Sequence, residues 1–199
     1  MLKKPDRRIA AVILAAGGSA RFGTPKQLLI QHGENLVQRI ARIAIDAGLD
    51  PVIVVLGAFA PSIKIFLSGF DRLTIVTNEN WESGQASSLR AGINRAISLD
   101  SDAAVILLAD QPLVDETSIR RIVDAFDLEH RVVASSYSDV LGAPALFSKE
   151  FFTSLLELSG DHGAGAWLRA NADVVTAVKM DEAALDIDTP DDLKHLPHE

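Results

Sequence analysis

The sequence predicts one α/β domain of Rossmann-like, three-layer α/β/α architecture built on a mostly parallel sheet. Short apolar runs alternate with segments whose apolar residues recur at helical spacing, which is typical of parallel strands covered by helices on both faces. The chain has 199 residues, enough for one substantial core. No linker-like segment interrupts it, so we expect residues 1–199 to form a single domain, with residues 1–8 flexible.

The first half of the chain gives the clearest elements. The strand candidates are continuous runs of Val, Ile, Leu and Ala, as in strands buried on both faces. The helix candidates repeat apolar residues four apart, as Leu89, Ile93 and Ile97 do. The expected elements, in order, are strand 9–14, helix 35–47, strand 51–56, helix 61–67, strand 73–77, helix 87–98 and strand 103–108.

The second half is less regular. The expected elements there are helix 117–126, strand 131–135, a brief strand 144–147, helices 149–158 and 164–170, and strand 174–178. Thr189 has the features of a helix cap, because Pro190 follows it and Asp191 and Asp192 then lie at the positive end of the helix dipole. A last helix is therefore expected to begin there.

A glycine-rich segment follows the first strand and reads L-A-A-G-G-S-A-R-F-G-T-P-K over residues 14–26. Glycines allow tight turns that bring several backbone N–H groups near an anion. Arg21 and Lys26 add two cations suited to phosphate. The segment matches neither a P-loop, because Thr24 stands where the lysine should be, nor the dinucleotide-binding G-x-G-x-x-G pattern. It therefore predicts another kind of phosphate-binding loop.

Acidic residues that could hold a metal lie far from this loop in sequence. Asp110 directly follows the apolar strand 103–108, and Asp186 and Asp188 precede the last expected helix. Mg²⁺ takes one or two carboxylates together with waters and substrate phosphates. Because ligands bind beyond the carboxyl ends of strands in such sheets, the loop and Asp110 are expected to meet at one cleft. Spacing alone does not decide between Asp186 and Asp188.

Five motifs, in order, resemble those of the MobA-like nucleotidyltransferases, in particular the molybdenum cofactor cytidylyltransferase branch. They are L-A-A-G-G-S-A-R-F-G-T-P-K at 14–26, G-Q-A-S-S-L-R-A-G at 84–92, L-A-D-Q-P at 108–112, G-D-H-G-A at 160–164 and D-I-D-T-P at 186–190. The resemblance implies a nucleotide-diphospho-sugar transferase-like fold. It also implies transfer of CMP from CTP to the terminal phosphate of molybdopterin, with Mg²⁺ as cofactor. Ala16, where the guanylyltransferases have glycine, resembles the cytidine branch.

The motifs also suggest roles for individual residues. Arg21 is expected to bind the leaving pyrophosphate and Lys26 to bridge the phosphates. Asp110 completes the catalytic set, and the resemblance favours Asp110 and Asp188 as metal ligands. The expected nucleotide-binding residues are Leu14, Ala15, Ala16, Gly17, Gly18, Ser19, Asn78, Gln85 and Ser88. The expected acceptor-binding residues are Gly142, Pro144, Asp161 and Gly163.

Two departures from the family concern the acceptor. Ala143 replaces the histidine of a G-H-P element, and Gly165 replaces the arginine of G-D-x-G-A-R. Transfer to another phosphomonoester, such as a sugar phosphate, is therefore an alternative, and a non-catalytic cofactor-delivery protein is a third. The implied partners are CTP, a molybdopterin-type acceptor, and a molybdoenzyme or its chaperone.

Composition and charge further limit the kinds of molecule that the protein is expected to bind. The net charge of −8 argues against nucleic-acid binding, which usually needs a basic face. The longest apolar stretches are far shorter than a membrane span. The chain has no cysteine, which excludes disulfides and thiolate metal sites. A cytoplasmic protein that binds neither nucleic acid nor membrane is expected.

Overall fold

The computed structural model describes residues 7–19 and 22–195. Arg21 lies outside the described residues, as does most of the segment 1–8. The strands are β1 Ile9–Ala15, β2 Ile30–Gln31, β3 Glu34–Asn35, β4 Val52–Leu56, β5 Leu73–Thr77, β6 Ala103–Leu108, β7 Val132–Tyr137, β8 Val140–Ser148 and β9 Thr176–Lys179. The α-helices are α1 Leu36–Asp46, α2 Ala60–Leu67, α3 Gln85–Ser98, α4 Glu116–Ala125, α5 Phe152–Leu156 and α6 Ala164–Ala170.

Seven of these strands form one sheet in the order β5-β4-β1-β6-β8-β7-β9, and β2 pairs with β3 in a separate small hairpin. Strands β5, β4, β1 and β6 pair in parallel, as do β7 and β9. Strand β8 alone runs opposite to its two neighbours in this sheet. The mostly parallel sheet predicted from the sequence is therefore confirmed.

The sheet carries a hydrophobic core on each face. One core includes side chains of α1, α2 and α4, and the other includes side chains of α3, α5 and α6. Strand β1 shows the alternation, because Ala11 and Ile13 belong to the first core and Ala10 and Val12 to the second. The predicted three-layer α/β/α arrangement follows from these two cores. None of the helices within the described residues is long and apolar enough to cross a bilayer.

The largest differences from the expected elements lie in the second half. The brief strand expected at 144–147 is nine residues long, because a turn at Ser138 and Asp139 returns the chain from β7 directly into β8. Both turn residues have positive φ, as a type I′ hairpin turn requires. The helix expected after Thr189 is a 3-10 helix, Pro190–His195. The α-helical part of the expected helix 149–158 is only α5.

Gly92 lies where helix α3 packs closely against the sheet. A Cβ atom at this position would lie 2.3 Å from Cγ1 of Val12 and 3.1 Å from Cγ2 of Val55. Gly92→Ala is therefore expected to lower the free energy of unfolding by about 1–3 kcal/mol through overpacking. Urea denaturation would measure this change.

Gly165→Ala is the matched control for that measurement. Gly165 also lies in a helix, but the nearest atom to its added Cβ would be Nη1 of Arg169, at 3.4 Å. The flexible end of an arginine can move away, so alanine should leave stability unchanged or raise it through helix propensity. Equal destabilisation by both substitutions would contradict the packing described for α3.

Candidate active site

A cleft with a volume of 420 Å³ lies at the carboxyl ends of β1 and β6. The chain leaves β1 towards β4 and β5 but leaves β6 towards β7 and β8, so the strand order changes direction between these two neighbours. Such a switch point opens a crevice between the loops that follow the two strands. The lining residues are Leu14, Ala15, Ala16, Gly17, Gly18, Lys26, Gln27, Trp81, Glu82, Gly84, Gln85, Ser88, Leu108, Ala109, Asp110 and Asp161.

A buried glutamine holds the glycine-rich loop in place. Gln27 is 3% exposed, and its Nε2 donates to the carbonyl oxygens of Ala15, at 3.2 Å, and Gly17, at 3.0 Å. The Oγ of Ser19 accepts a hydrogen bond from the backbone N–H of Lys26 at 3.1 Å. These bonds fold the end of the loop back on its beginning. The role of Gln27 could not be predicted from the sequence, because it depends on this folding of the loop.

Lys26 brings the two remote aspartates together. Its Nζ lies 2.6 Å from Oδ2 of Asp110 and 2.9 Å from Oδ1 of Asp188. The Lys26 side chain is only 15% exposed, whereas that of Asp188 is 50% exposed. Two carboxylates separated by 78 positions in sequence therefore lie close enough to share a single cation.

The position of Asp188 is fixed by backbone and side-chain hydrogen bonds. The N–H of Ile187 donates to the carbonyl oxygen of Asp110 at 2.9 Å. Oδ2 of Asp192 accepts from the N–H groups of Asp188 and Thr189, at 2.9 and 2.7 Å, and from Oγ1 of Thr189. The segment that carries Asp188 is thus tied both to the end of β6 and to the last 3-10 helix.

These charges alter each other's protonation. Burial by itself lowers the pKa of Lys26, but the Asp110 and Asp188 carboxylates outweigh burial and raise that pKa above its usual value. Desolvation, followed by repulsion from the same two carboxylates, raises the pKa of Asp186 to about 7, although the residue keeps solvent contact. Burial and the nearby Asp186 and Asp110 also raise the pKa of Tyr137. The cluster therefore holds more acidic groups than its one ammonium can neutralise.

The structure does not bring Asn78 to the surface of the cleft. Asn78 is 7% exposed, and its Nδ2 donates to Oγ of Ser87 at 2.8 Å and of Ser88 at 3.0 Å. Its Oδ1 accepts from the N–H of Asn80, which forms a turn after β5. Asn78 therefore supports Ser88, which does line the cleft, and its own amide is already occupied.

The expected acceptor-binding residues fall into two separate places. Gly142 and Pro144 are buried in β8 and do not line the cleft, and Gly142 packs against the ring of Tyr137. Gly163 is also buried and faces Gln85. Among these expected residues, only Asp161 lines the cleft.

Asp161 reaches the cleft because its loop interlocks with the start of α3. The N–H of Ala86 donates to the carbonyl oxygen of Gly160 at 3.0 Å. Gly84 has a φ of +102°, and a Cβ there would lie 2.3 Å from the carbonyl atoms of Gly160. Only glycine fits this approach. The G-Q-A-S-S-L and G-D-H-G-A motifs thus form one wall, on which Asp161 lies close to Gly84.

Trp81 forms another part of the wall. Its indole packs against Gly18 and its Cβ lies near Gly57, so the ring lies against the glycine-rich loop and lines the cleft. The position of Trp81 between Asn78 and Gly84 in the sequence suggests that it lines the cleft, whereas its contact with Gly18 depends on the fold. Trp81 thereby adds a large aromatic surface to the cleft beside the glycine-rich loop.

The donor set at Lys26 fits a divalent ion that arrives with phosphates. No cluster of three or more Asp, Glu, His or Cys side chains suited to a metal occurs within residues 7–19 and 22–195. Two carboxylates do converge, and the Lys26 ammonium already occupies the position of a cation between them. Two protein carboxylates plus substrate phosphates and waters is the usual ligand set of Mg²⁺ in phosphoryl-transfer sites.

Comparison with known proteins identifies the relatives of this chain. The family model for the MobA-like NTP transferase domain matches residues 11–175. The purine catabolism protein PucB of Bacillus subtilis (strain 168) is 32% identical over 92% of this chain and 93% of its own length. Nicotine blue oxidoreductase of Paenarthrobacter nicotinovorans is 28% identical over 94% and 96%.

A solved structure is similar over nearly the whole fold. Rv0371c from Mycobacterium tuberculosis H37Rv superposes with a TM-score of 0.83 at 33% identity, covering 95% of this chain and 97% of that one. Rv0371c is also described in a complex with manganese, which superposes with a TM-score of 0.77 at 30% identity.

Proposed function

The chain belongs to the MobA-like NTP transferase family, and from this premise we propose that it transfers CMP from CTP to a phosphorylated acceptor of the molybdopterin type. An oxygen of the acceptor's terminal phosphate attacks the α-phosphorus of CTP, and the bond to the β-phosphate breaks to release pyrophosphate. The observation that carries the proposal is the convergence of Lys26, Asp110 and Asp188 beside the glycine-rich loop.

The charge of the cleft supports a metal-dependent reaction. The described lining residues include three with carboxylates, Glu82, Asp110 and Asp161, and one with an ammonium, Lys26. A triphosphate adds further negative charge to these described residues, which an accompanying divalent cation would offset. We propose that Asp110 and Asp188 hold Mg²⁺, which when bound neutralises charge on the attacking and leaving oxygens.

The remaining residues position the nucleotide. Backbone N–H groups of residues 15–19 are suited to the phosphates, and Gln85 and Ser88 offer side-chain groups to the base or ribose. Lys26 moves from its carboxylates to the phosphates. No general base is required, because a phosphate monoester is already ionised at neutral pH, so alignment and charge neutralisation account for the catalysis.

A second acceptor class has specific support. Ala143 and Gly165 replace a histidine and an arginine that the family has on the acceptor side, and both losses remove groups that could bind an anion. Transfer of the nucleotide to another phosphomonoester, such as a sugar phosphate, is therefore the alternative.

Thermal denaturation with each of the four nucleoside triphosphates, with and without Mg²⁺, tests the nucleotide side. A ligand at 100 times its Kd stabilises the native state by about 2.7 kcal/mol, which raises Tm by roughly 5–10 °C for a chain of this size. We expect this shift with CTP and Mg²⁺ together. An equal shift with all four triphosphates would contradict selection of cytidine. Pyrophosphate release with molybdopterin and with a panel of sugar phosphates then decides the acceptor.

A further inference from the structure

Gln111 links three separate segments of the chain next to Asp110, a candidate metal ligand. The residue is 3% exposed and directly follows Asp110. Its Nε2 donates to the carbonyl oxygens of Ala183, at 2.8 Å, and Ala143, at 3.1 Å. The amide therefore joins the end of β6 to β8 and to the irregular segment that leads to Asp188.

The orientation of this amide is unambiguous. Two carbonyl oxygens face one end of the side chain, so that end must be the NH₂ group. Oε1 of Gln111 is buried and has no hydrogen-bond partner within the described residues. Leaving a buried acceptor unpaired costs free energy that an apolar side chain would avoid. An apolar residue would avoid this cost but could supply neither of the two donated bonds, nor the side-chain hydrogen bond between Gln111 and Asp186.

The segment carrying Asp188 depends on such bonds for its position. Residues 185–189 belong to neither an α-helix nor a strand. The segment is held to the end of β6 by the Ile187 N–H bond to the Asp110 carbonyl and by the Gln111 bond to Ala183. Both attachments start from the adjacent residues Asp110 and Gln111, so they set where Asp188 lies relative to Asp110.

We propose that Gln111 is a positioning residue that fixes the separation of the Asp110 and Asp188 carboxylates and thereby the affinity of the site for a divalent cation. This inference rests on the proposed function, because that function makes the two carboxylates metal ligands. Residues that orient metal ligands without touching the metal typically change its affinity 10- to 100-fold when replaced. Gln111 holds the backbone that carries one ligand and adjoins the other.

Gln111→Met tests the proposal, because methionine keeps the approximate volume but donates no hydrogen bond. We expect the Kd for Mn²⁺, measured by electron paramagnetic resonance on the protein with and without CTP, to rise by roughly tenfold or more. The Kd for CTP without metal should stay unchanged. An unchanged Kd for Mn²⁺ in folded Gln111→Met would overturn the inference. If the protein does not act on CTP, the Kd for Mn²⁺ measured without CTP still tests the role of Gln111.

Gln31→Met separates positioning from general stability. Gln31 is 9% exposed, its Oε1 also has no partner within the described residues, and it lies in β2 away from the cleft. We expect this variant to bind Mn²⁺ like the wild type even where its Tm falls. An equal loss of Mn²⁺ binding in both variants would assign the effect to stability and refute the positioning role. Gln111→Asn, whose amide is too short to reach both carbonyls, gives the same comparison if Gln111→Met does not fold.

Discussion

Replacing Asp110 by asparagine is expected to slow pyrophosphate release from CTP by roughly 10³-fold, because a metal supplies several kcal/mol of transition-state stabilisation and each 1.36 kcal/mol is a factor of ten. Asparagine keeps the shape of the side chain but removes the charge that attracts the metal. Lys26 would still contact Asp188, so the loop should keep its position. Initial rates at saturating CTP and acceptor measure the effect.

Asp181→Asn is the control for this substitution. Asp181 is exposed, lies in the segment between β9 and Asp188, and forms a surface ion pair with Lys179. Such pairs contribute little to stability, so activity should remain near that of the wild type. Comparable rates for Asp110→Asn and the wild type would show that the Asp110 carboxylate takes no part in the reaction.

Replacing Lys26 by methionine is expected to have two effects of opposite sign. Pyrophosphate release should fall by roughly 10²–10³-fold, because a charge-stabilising donor to the phosphates is lost. Binding of Mn²⁺ to the nucleotide-free protein should become tighter by roughly tenfold, because the ammonium that competes with the metal between Asp110 and Asp188 is gone. Titration with Mn²⁺ and a rate assay measure the two effects on the same preparation.

Lys149→Met provides the comparison. Lys149 is 68% exposed and pairs with Asp102 at the opposite end of β6. Its loss should change neither the rate nor the binding of Mn²⁺. Weaker binding of Mn²⁺ to Lys26→Met than to the wild type would contradict competition between the ammonium and a metal. Such a result would mean that Lys26 instead holds the two carboxylates in a metal-binding arrangement.

The continuous apolar strands could be predicted, because runs of apolar residues in the sequence indicate strands buried on both faces. The bounds predicted for 73–77 and 103–108 agree with β5 and β6. The length and reversed direction of β8 could not be predicted, because both depend on a two-residue turn with positive φ at Ser138 and Asp139 and on pairing with β6. Hydrophobic patterns do not specify which way a strand runs.

In the candidate site, too, some features could be predicted from the sequence and others could not. The convergence of the loop with Asp110 could be expected from general properties of parallel sheets, since both follow strands. The hydrogen bond from Asn78 to Ser88 and the position of Asp161 close to Gly84 could not be predicted, because both depend on contacts between separate segments of the chain. The roles of Gln27 and of Gln111, which lies in the L-A-D-Q-P motif, could not be predicted for the same reason, because each role is defined by the carbonyl groups that surround the side chain.

The central proposal is that Asp110 and Asp188 share one divalent cation beside Lys26. Its most direct test is the Kd for Mn²⁺ in the presence of CTP, without acceptor, for the wild type, Asp188→Asn and Asp186→Asn. We expect Asp188→Asn to weaken binding at least roughly tenfold, since it removes a direct ligand, and Asp186→Asn to weaken it less. Binding of Mn²⁺ to Asp188→Asn with wild-type affinity would contradict the proposal.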